Sequence, residues 1–294
     1  MIPYSDSDIQ LRSFPIINLL LIGLNTLVFL YELQLGGLGL LRGGGGLDIV
    51  AFFAKWGFIP NELTQGLACT HQVLGLERCP QIPAEFLARP EANLPVLSLP
   101  GGFILLNIDT PLPTWTTIFS SMFIHGGFFH FAGNMMFLWV FGRNVEDWLG
   151  HFKYLVFYFL AGIAATLSQL AIDSHSLTPL IGASGAISGV MGAYMLLYPF
   201  NRINTLIIFY FITVLRLPAV GLLGLWFLWQ LVQGVGSLAI SNQVSVAFFA
   251  HVGGFVAGAI MVAALKLVTG QPVWPSRRRS QPWDYWYQSG RGPD

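Results

Sequence analysis

Charged residues are scarce in this chain, and long stretches contain none at all. Only 10% of the residues are charged, whereas an ordinary soluble domain has about 25%. The longest uncharged stretches are 13–31, 110–142, 154–172, 174–201 and 217–265. A membrane-spanning helix needs about 20 apolar residues, so three of these stretches fit one span each, one exceeds a span, and the last can hold two. The composition argues against a soluble globular domain and predicts a polytopic membrane protein.

We expect an all-α fold in which six helices cross the bilayer. They are predicted at residues 14–34, 118–142, 153–172, 182–200, 218–237 and 247–268. The apolar run 203–215 is too short to cross, and it should lie at the interface or extend a neighbouring helix. The first helix is not expected to be a signal peptide, because its apolar stretch is long and no small-x-small cleavage site follows it.

The few Lys and Arg residues cluster at alternate ends of these helices. They precede helix 1, flank the links between helices 2 and 3 and between helices 4 and 5, and follow helix 6: Arg12, Arg143, Lys153, Arg202, Arg216, Arg277, Arg278 and Arg279. The links between helices 3 and 4 and between helices 5 and 6 have none. Because positive charge favours the cytoplasmic side, residues 1–13 and 269–294 are predicted to be cytoplasmic segments, with the plasma (inner) membrane as the expected location.

The link between helices 1 and 2, residues 35–114, is a long loop that these charges place outside. Its glycine-rich start, 36–46, is typical of a flexible linker, and the apolar, aromatic run 51–63 suggests an interfacial helix. Cys69 and Cys79 are the only cysteines of the chain. An external pair ten positions apart either forms a disulfide, which we favour, or stays as two free thiols. A zinc site is not expected, because the cysteines and the nearby histidine lack a fourth ligand.

Polar residues interrupt three of the uncharged stretches, and polar groups in hydrocarbon are costly enough to indicate function. They are Ser184 within Gly182-Ala183-Ser184-Gly185, His251 in a later stretch, and the group of His125, His130 and Asn134. If the N-terminus is inside, helices 2, 4 and 6 all begin outside. Ser184, His251 and His130 then converge at a similar depth on the external side, provided that helix 2 begins near Gly126-Gly127. Glycine pairs that allow close approach of helices 4 and 6 are Gly185 with Gly189 and Gly254 with Gly258.

These residue types are typical of acyl transfer by a serine nucleophile. His251 can take the proton of the Ser184 hydroxyl, and helices 4 and 6 contain no carboxylate, so we expect a dyad rather than a triad. Backbone N–H groups in the first turn of helix 4 have no intrahelical partner. Together with His130 and Asn134, which are spaced i, i+4 on one helix face, they can stabilise an oxyanion. For His125 we favour a structural role, in which it fixes loop and helix by hydrogen bonding.

Three segments of this chain resemble the motifs of the rhomboid family of intramembrane serine proteases. They are His125-Gly-Gly-Phe-Phe-His130-Phe-Ala-Gly-Asn134, Gly182-Ala183-Ser184-Gly185 and Ala250-His251-Val252-Gly253-Gly254. The resemblance covers about 114–266, with a weaker echo at Trp56-Gly-Phe-Ile-Pro60. It implies a rhomboid-like catalytic core of helices 2–6 over 115–268, with Ser184 as nucleophile, His251 as base, and His130 and Asn134 as oxyanion donors.

The resemblance also implies a function within the bilayer, namely cleavage of peptide bonds in or beside the transmembrane helices of substrate proteins. No cofactor, metal or nucleic-acid partner is expected. The chain departs from the family pattern at two places. Ser188 stands where some members have an aromatic residue that stacks on the histidine, and Trp115-Thr116 stands near the place of a Trp-Arg pair.

Other functions fit the same residues less well. A catalytically inactive rhomboid-like protein, which binds or escorts membrane proteins, usually lacks the serine or the histidine, and this chain has both. A transporter or channel would favour charged residues within its spans, and the uncharged stretches argue against that. Other intramembrane proteases need HExxH or paired aspartates, which the predicted helices lack.

Overall fold

The computed structural model describes residues 2–8, 11–42, 44–65, 71–74, 96–98, 104–107, 113–176, 178–208, 212–239 and 246–275. In this part of the chain helices dominate, and there are also two small antiparallel sheets of three strands each. The expected all-α fold is therefore wrong in this respect. The strands belong to the N-terminal segment and to connections between helices, so they add to the helical bundle rather than replace any of its members.

The long helices are α1 (Ile16–Gly36), α7 (His151–Ile172), α9 (Ala219–Ala239) and α10 (Phe248–Val268). Their bounds lie close to those predicted. Within the described residues, four helical stretches are long and apolar enough to cross a membrane, namely Ile16–Arg42, His151–Ile172, Ala219–Leu238 and Phe248–Val268. Helix α8 (Ser184–Leu197) is also apolar but shorter than the predicted 182–200.

The second predicted helix, 118–142, begins too early. Short helical turns over 114–123, which include α4 (Thr117–Ser120), come first. The continuous helix starts only with α5 (Phe128–Phe137). Two consecutive glycines, Gly126 and Gly127, precede α5, and glycine is among the residues least favourable to a helix. The break matters because it separates His125 from His130.

The same helix also ends later than predicted. After α5 it continues through a π-helical turn (Leu138–Gly142) into α6 (Arg143–Leu149). The carboxylate of Glu146 is fully buried and accepts the backbone N–H groups of Ile17 and Asn18 at 2.9 and 2.8 Å. These donors belong to the first turn of α1 and have no intrahelical partner. A charged residue can therefore stay inside the bundle, where it caps the neighbouring helix.

In its described residues the run 203–215 does not extend a neighbouring helix, and its expected place at the membrane interface stays a prediction. It lies in a β-hairpin of β5 (Arg202–Ile208) and β6 (Ile212–Pro218), which fits its content of β-branched residues. The N-terminal segment supplies β1 (Ile2–Asp6), which pairs antiparallel with β5. The N-terminus is thus attached to the link between α8 and α9.

The described residues of the long loop between α1 and α5 form helices and strands. The run predicted as an interfacial helix, 51–63, lies within α2 (Leu47–Trp56) and α3 (Pro60–Gln65). The glycine-rich start forms a 3₁₀ helix (Gly37–Arg42) rather than only a linker. Three short strands form the second sheet, in the order β2-β4-β3: β2 (His71–Leu74), β3 (Val96–Ser98) and β4 (Ile104–Asn107). Cys69 and Cys79, with their predicted disulfide, lie outside the described residues.

The core of the bundle is the mutual packing of α7, α8 and α10. Small residues allow the backbones to touch: a Cβ atom at Gly192 would lie 2.0 Å from the carbonyl oxygen of Phe255, and one at Gly189 would lie 2.4 Å from the Cβ of Ala161. At the far end of α10 the buried Lys266 donates to the carbonyl oxygens of Leu196 and Val273. This ammonium group donates to a carbonyl at the end of α8, where the last carbonyl groups of a helix have no intrahelical donor.

Candidate functional site

Ser184 is the first residue of α8, and the segment before it is held on two sides. The N–H of Gly182 donates to the carbonyl of Ser121 at 2.8 Å, and Leu180 exchanges two backbone hydrogen bonds with Phe58. Phe58 lies in Trp56-Gly-Phe-Ile-Pro60, the segment with the weaker resemblance. This segment therefore holds in place the residues that precede α8. Gly182 has φ +128°, a backbone conformation that favours glycine. The serine therefore follows a tight, fixed turn.

His251, in the first turn of α10, faces Ser184. Its Nε2 lies 2.7 Å from Ser184 Oγ, within hydrogen-bond distance. Direct backbone contact between α8 and α10 makes this possible, because a Cβ atom at Gly254 would lie 2.2 Å from the carbonyl oxygen of Gly185. The structure thus brings together the two residues predicted to form the dyad, 67 positions apart in the chain.

A third polar side chain, which sequence reasoning missed, contacts the histidine. Nδ1 of His251 lies 2.8 Å from Oε1 of Gln230, and this side chain is 8% exposed. Gln230 lies in α9, within a span that has no charged residue. A polar residue in such a span indicates function, so Gln230 could have been selected from the sequence. It was missed because only the helices of the serine and the histidine were searched, and only for a carboxylate.

The aromatic neighbour of the histidine also comes from α9. The ring of Trp226 lies 6.0 Å from that of His251, centroid to centroid. Ser188, at the position where some rhomboids have an aromatic residue, is buried and donates to the carbonyl of Ser184 at 2.6 Å. The chain therefore has a serine at this position of α8, and the aromatic ring beside His251 is that of Trp226 from α9.

His130 and Asn134, the predicted oxyanion donors, lie on α5. The His130 ring is next to the turn before the serine, because a Cβ atom at Gly182 would lie 2.9 Å from its Cε1 and Nε2 and 3.4 Å from Ser184 Oγ. Asn134 is buried, and its Nδ2 has no hydrogen-bond partner among the described residues. His130 thus lies near the serine. Asn134, one turn further along α5, has a side-chain N–H donor that is available for an oxyanion.

His125 and Glu32 form a buried polar contact behind this site. The backbone N–H of His125 donates to Oε1 of Glu32 in α1 at 3.0 Å, and both residues are fully buried. The His125 ring lies 5.3 Å from the His130 ring, edge to face. This hydrogen bond comes from the backbone and connects α1 to the loop before α5. Neither ring nitrogen of His125 has a hydrogen-bond partner among the described residues, so the structural role expected of its side chain stays a prediction. Glu32 was not singled out in the sequence because it lies just outside the uncharged stretch.

A cavity of about 40 Å³ opens beside Ser184. Most of its lining is small, and includes Gly162, Ala165, Gly185 and Ala250. A cavity of this volume can hold a few water molecules, so it suits water or a short side chain. The described residues contain no group of three His, Cys, Asp or Glu side chains that could hold a metal ion.

Comparison with known proteins points to one family. The family model described as "Rhomboid domain" matches residues 113–267, which is more than half of the chain. "Rhomboid protein 1, mitochondrial" of Saccharomyces cerevisiae is 34% identical over 91 residues, which cover 30% of this chain and 26% of the yeast protein. "Rhomboid protease GluP" of Bacillus subtilis is 33% identical over 88 residues, which cover 30% of this chain and 17% of that protein.

The relatives also include a protein named as inactive. "Inactive rhomboid protein 1" of Drosophila melanogaster is 22% identical over 165 residues, which cover 56% of this chain and 10% of the fly protein. The matched regions span about a quarter or less of the length of these three relatives. Similarity therefore identifies the shared domain, and the activity has to be argued from the site.

Proposed function

The chain belongs to the rhomboid family and is a multi-pass integral membrane protein, and from this premise we propose that it is an intramembrane serine endopeptidase. Its substrates would be membrane proteins, cleaved in or next to their transmembrane helices. The observation that carries the proposal is the 2.7 Å contact between Ser184 Oγ and His251 Nε2. A serine hydroxyl becomes a useful nucleophile when an adjacent base takes its proton.

The chemistry needs only side chains and water. Ser184 Oγ attacks the carbonyl carbon of the scissile peptide bond while His251 Nε2 takes the hydroxyl proton. The oxyanion that forms would lie at the N-terminus of α8, where free N–H groups and the helix dipole favour negative charge, with His130 and Asn134 as further donors. The C–N bond breaks as His251 returns the proton to the amine. Water, deprotonated by His251, then hydrolyses the acyl ester and restores Ser184.

The proposed substrate has a helix that unwinds easily. A transmembrane helix bonds its own backbone groups and shields its carbonyls, so it must open locally before Ser184 can attack. Substrates should therefore contain Gly, Pro or other helix-weakening residues near the external end of a span. The residue before the cut should be small, because the cavity beside Ser184 has a volume of only about 40 Å³.

The proposed arrangement in the membrane has six spans, with the long loop outside and both termini in the cytoplasm. Residues 1–13 and 269–294 would be the cytoplasmic ends and 115–268 the catalytic core, with the active site open to the external side of the plasma (inner) membrane. Support comes from the distribution of Lys and Arg and from the pairing of β1 with the α8–α9 link.

The direct test uses detergent-purified protein, a fluorophosphonate probe and a model transmembrane substrate. Wild-type protein should be labelled on Ser184 and should cleave the substrate. Ser184→Ala and His251→Ala should lose both activities and keep the thermal stability of the wild type. Ser237→Ala is the matched control, because Ser237 lies in an apolar helix long enough to span the membrane and, among the described residues, its hydroxyl donates to the carbonyl of Gly234 of its own helix. Undiminished cleavage by Ser184→Ala would rule the proposal out.

The alternative is a rhomboid that binds membrane proteins without cleaving them, as the name of the Drosophila relative allows. The same experiment distinguishes it. An inactive protein would retain the substrate through purification, would leave it intact, and would show no labelling of Ser184.

A further inference from the structure

Both ring nitrogens of His251 have a partner, and one partner comes from outside the sequence motifs. Nε2 lies 2.7 Å from Ser184 Oγ, and Nδ1 lies 2.8 Å from Oε1 of Gln230. A primary amide buried in an apolar helix costs free energy unless it makes hydrogen bonds. Contact with His251 therefore accounts for an 8% exposed glutamine at this position.

The direction of these hydrogen bonds decides whether the histidine can act as a base. A carbonyl oxygen only accepts, so Gln230 Oε1 requires a proton on Nδ1 of His251. A neutral imidazole has a single N–H, which leaves the lone pair of Nε2 free to take the Ser184 proton. With the amide turned over, its NH₂ group would donate to Nδ1 and the ring proton would be on Nε2. Nε2 could then not accept the Ser184 proton.

We infer that Gln230 is a positioning residue that holds His251 in the tautomer and orientation needed for proton transfer. The inference rests on the proposed function and deepens it, since it adds a third member to the expected dyad. Gln230 would take the place that an aspartate has in a Ser–His–Asp triad. A neutral acceptor has the advantage that no second ion has to be buried among apolar helices.

Helix α9 makes a second contact with the same ring, through Trp226 one turn before Gln230. The helix is held against α10 by stacked side chains, with the rings of Phe227 and Phe255 only 4.8 Å apart. Its other face consists of exposed apolar side chains, such as Leu228 and Trp229. The orientation of the base therefore depends on how α9 packs on α10, since a shift of about 1 Å would break the hydrogen bond.

The first test compares variants of the full-length protein in detergent. Gln230→Met removes the acceptor at nearly unchanged side-chain size, and Gln230→Glu keeps an oxygen acceptor. We expect Gln230→Met to lower both kcat and the rate of fluorophosphonate labelling about tenfold, the factor that corresponds to one net hydrogen bond, with KM unchanged. Gln230→Glu should retain activity. Gln233→Met is the matched control, because Gln233 is half-buried on the same helix and is not a partner of His251.

The outcomes separate this inference from the function on which it rests. Labelling of Gln230→Met at the wild-type rate overturns the inference and leaves the protease assignment intact. An equal loss of labelling rate in Gln230→Met and Gln230→Glu also overturns the inference. The loss would then come from altered packing and not from the missing hydrogen-bond acceptor. A wild-type protein that neither labels nor cleaves overturns both.

The second test needs no variant of Gln230. Nitrogen-15 NMR of histidine-labelled wild-type protein reports which ring nitrogen carries the proton, and the His251 signals are identified by their absence in His251→Gln. We expect protonated Nδ1 and unprotonated Nε2 at neutral pH. A proton on Nε2 contradicts the inference, even if Gln230→Met fails to fold.

Discussion

At the residue scale, Gly182 is the position where backbone geometry and chemistry constrain each other most. Its φ of +128° is rarely adopted by residues with a side chain. A Cβ atom there would also lie 2.9 Å from the ring of His130 and 3.4 Å from Ser184 Oγ. The turn before the serine therefore has to be glycine for two independent reasons, and both of them affect the place where an oxyanion would form.

We predict that Gly182→Ala lowers kcat about 100-fold, because a displacement of about 1 Å in a catalytic group can have that effect. The backbone strain should also lower the free energy of unfolding by about 1–3 kcal/mol. Turnover of a model substrate and thermal unfolding in detergent measure the two effects. Gly126→Ala is the control, because a Cβ atom there meets only Ile181 Cδ1 at an ordinary 3.5 Å. Equal activity in both variants would contradict the prediction.

At the scale of elements, the approach of α8 to α10 positions the dyad. The two helices touch backbone to backbone: a Cβ atom at Gly258 would lie 2.0 Å from the carbonyl oxygen of Gly189, and one at Gly254 would lie 2.2 Å from that of Gly185. Small residues allow such contact in membranes, where packing rather than burial from water drives helix association. The motif glycines thus set the distance that the Ser–His hydrogen bond needs.

Replacement of one of these glycines should push the helices apart. We predict that Gly258→Ala lowers the free energy of unfolding by about 1–3 kcal/mol, as overpacked cores do, and lowers the rate of Ser184 labelling as well. Unfolding in mixed detergent micelles provides the measurement. Gly236→Ala on α9 is the matched control, because a Cβ atom there would meet no neighbouring atom within 4 Å, and it should be neutral or slightly stabilising. Destabilisation of both variants alike would show that the contact is not the cause.

At the scale of the whole molecule, the N-terminal strand closes the end of the bundle opposite the active site. Asp6 of β1 is buried, and its Oδ2 accepts the side-chain amides of Asn144 and Asn201 at 3.2 Å and the hydroxyl of Tyr194. Tyr194 is ten residues after Ser184, which corresponds to about 15 Å along α8. The strand therefore contributes to stability from a distance.

We predict that Asp6→Ala separates stability from activity. It should lower the free energy of unfolding by about 1–3 kcal/mol, because the buried donors of Asn144 and Tyr194 and the partly buried amide of Asn201 lose their acceptor. The labelling rate of Ser184, measured well below the unfolding temperature, should stay at the wild-type value. Tyr4→Ala, an exposed position on the same strand, should leave both quantities unchanged. A slower reaction in folded Asp6→Ala would show that this end of the bundle influences the site.

The proposed orientation predicts which ends a reagent can reach from outside. Thr178 lies in the exposed link before α8, and Gln271 is exposed just after α10. In a Cys69→Ser, Cys79→Ser background, Thr178→Cys should react with a membrane-impermeant maleimide on intact cells, whereas Gln271→Cys should react only after lysis. The opposite pattern would reverse the proposed topology, and active variants ensure that the fold is preserved.

The bounds of α7, α9 and α10 could be predicted from the sequence alone, because an apolar, uncharged run long enough to cross a bilayer is visible in the residues of that run. Ser184, His251 and His130 could be selected in the same way, since polar groups in such runs are unusual. The break before α5 and the hairpin of β5 and β6 were missed, although glycine pairs and β-branched residues were local signals for them.

What the sequence by itself determined is the membrane-spanning character of this protein and the choice of residues proposed to react, because both depend on side-chain chemistry within short segments. Only the tertiary structure decided which side chain faces which. The contact of Gln230 with His251 and that of Glu32 with His125 join residues 21 and 93 positions apart. Such pairs depend on the spacing and rotation of packed helices, and these are set by the glycine contacts between α8 and α10 and by the aromatic packing of α9, which no single segment specifies.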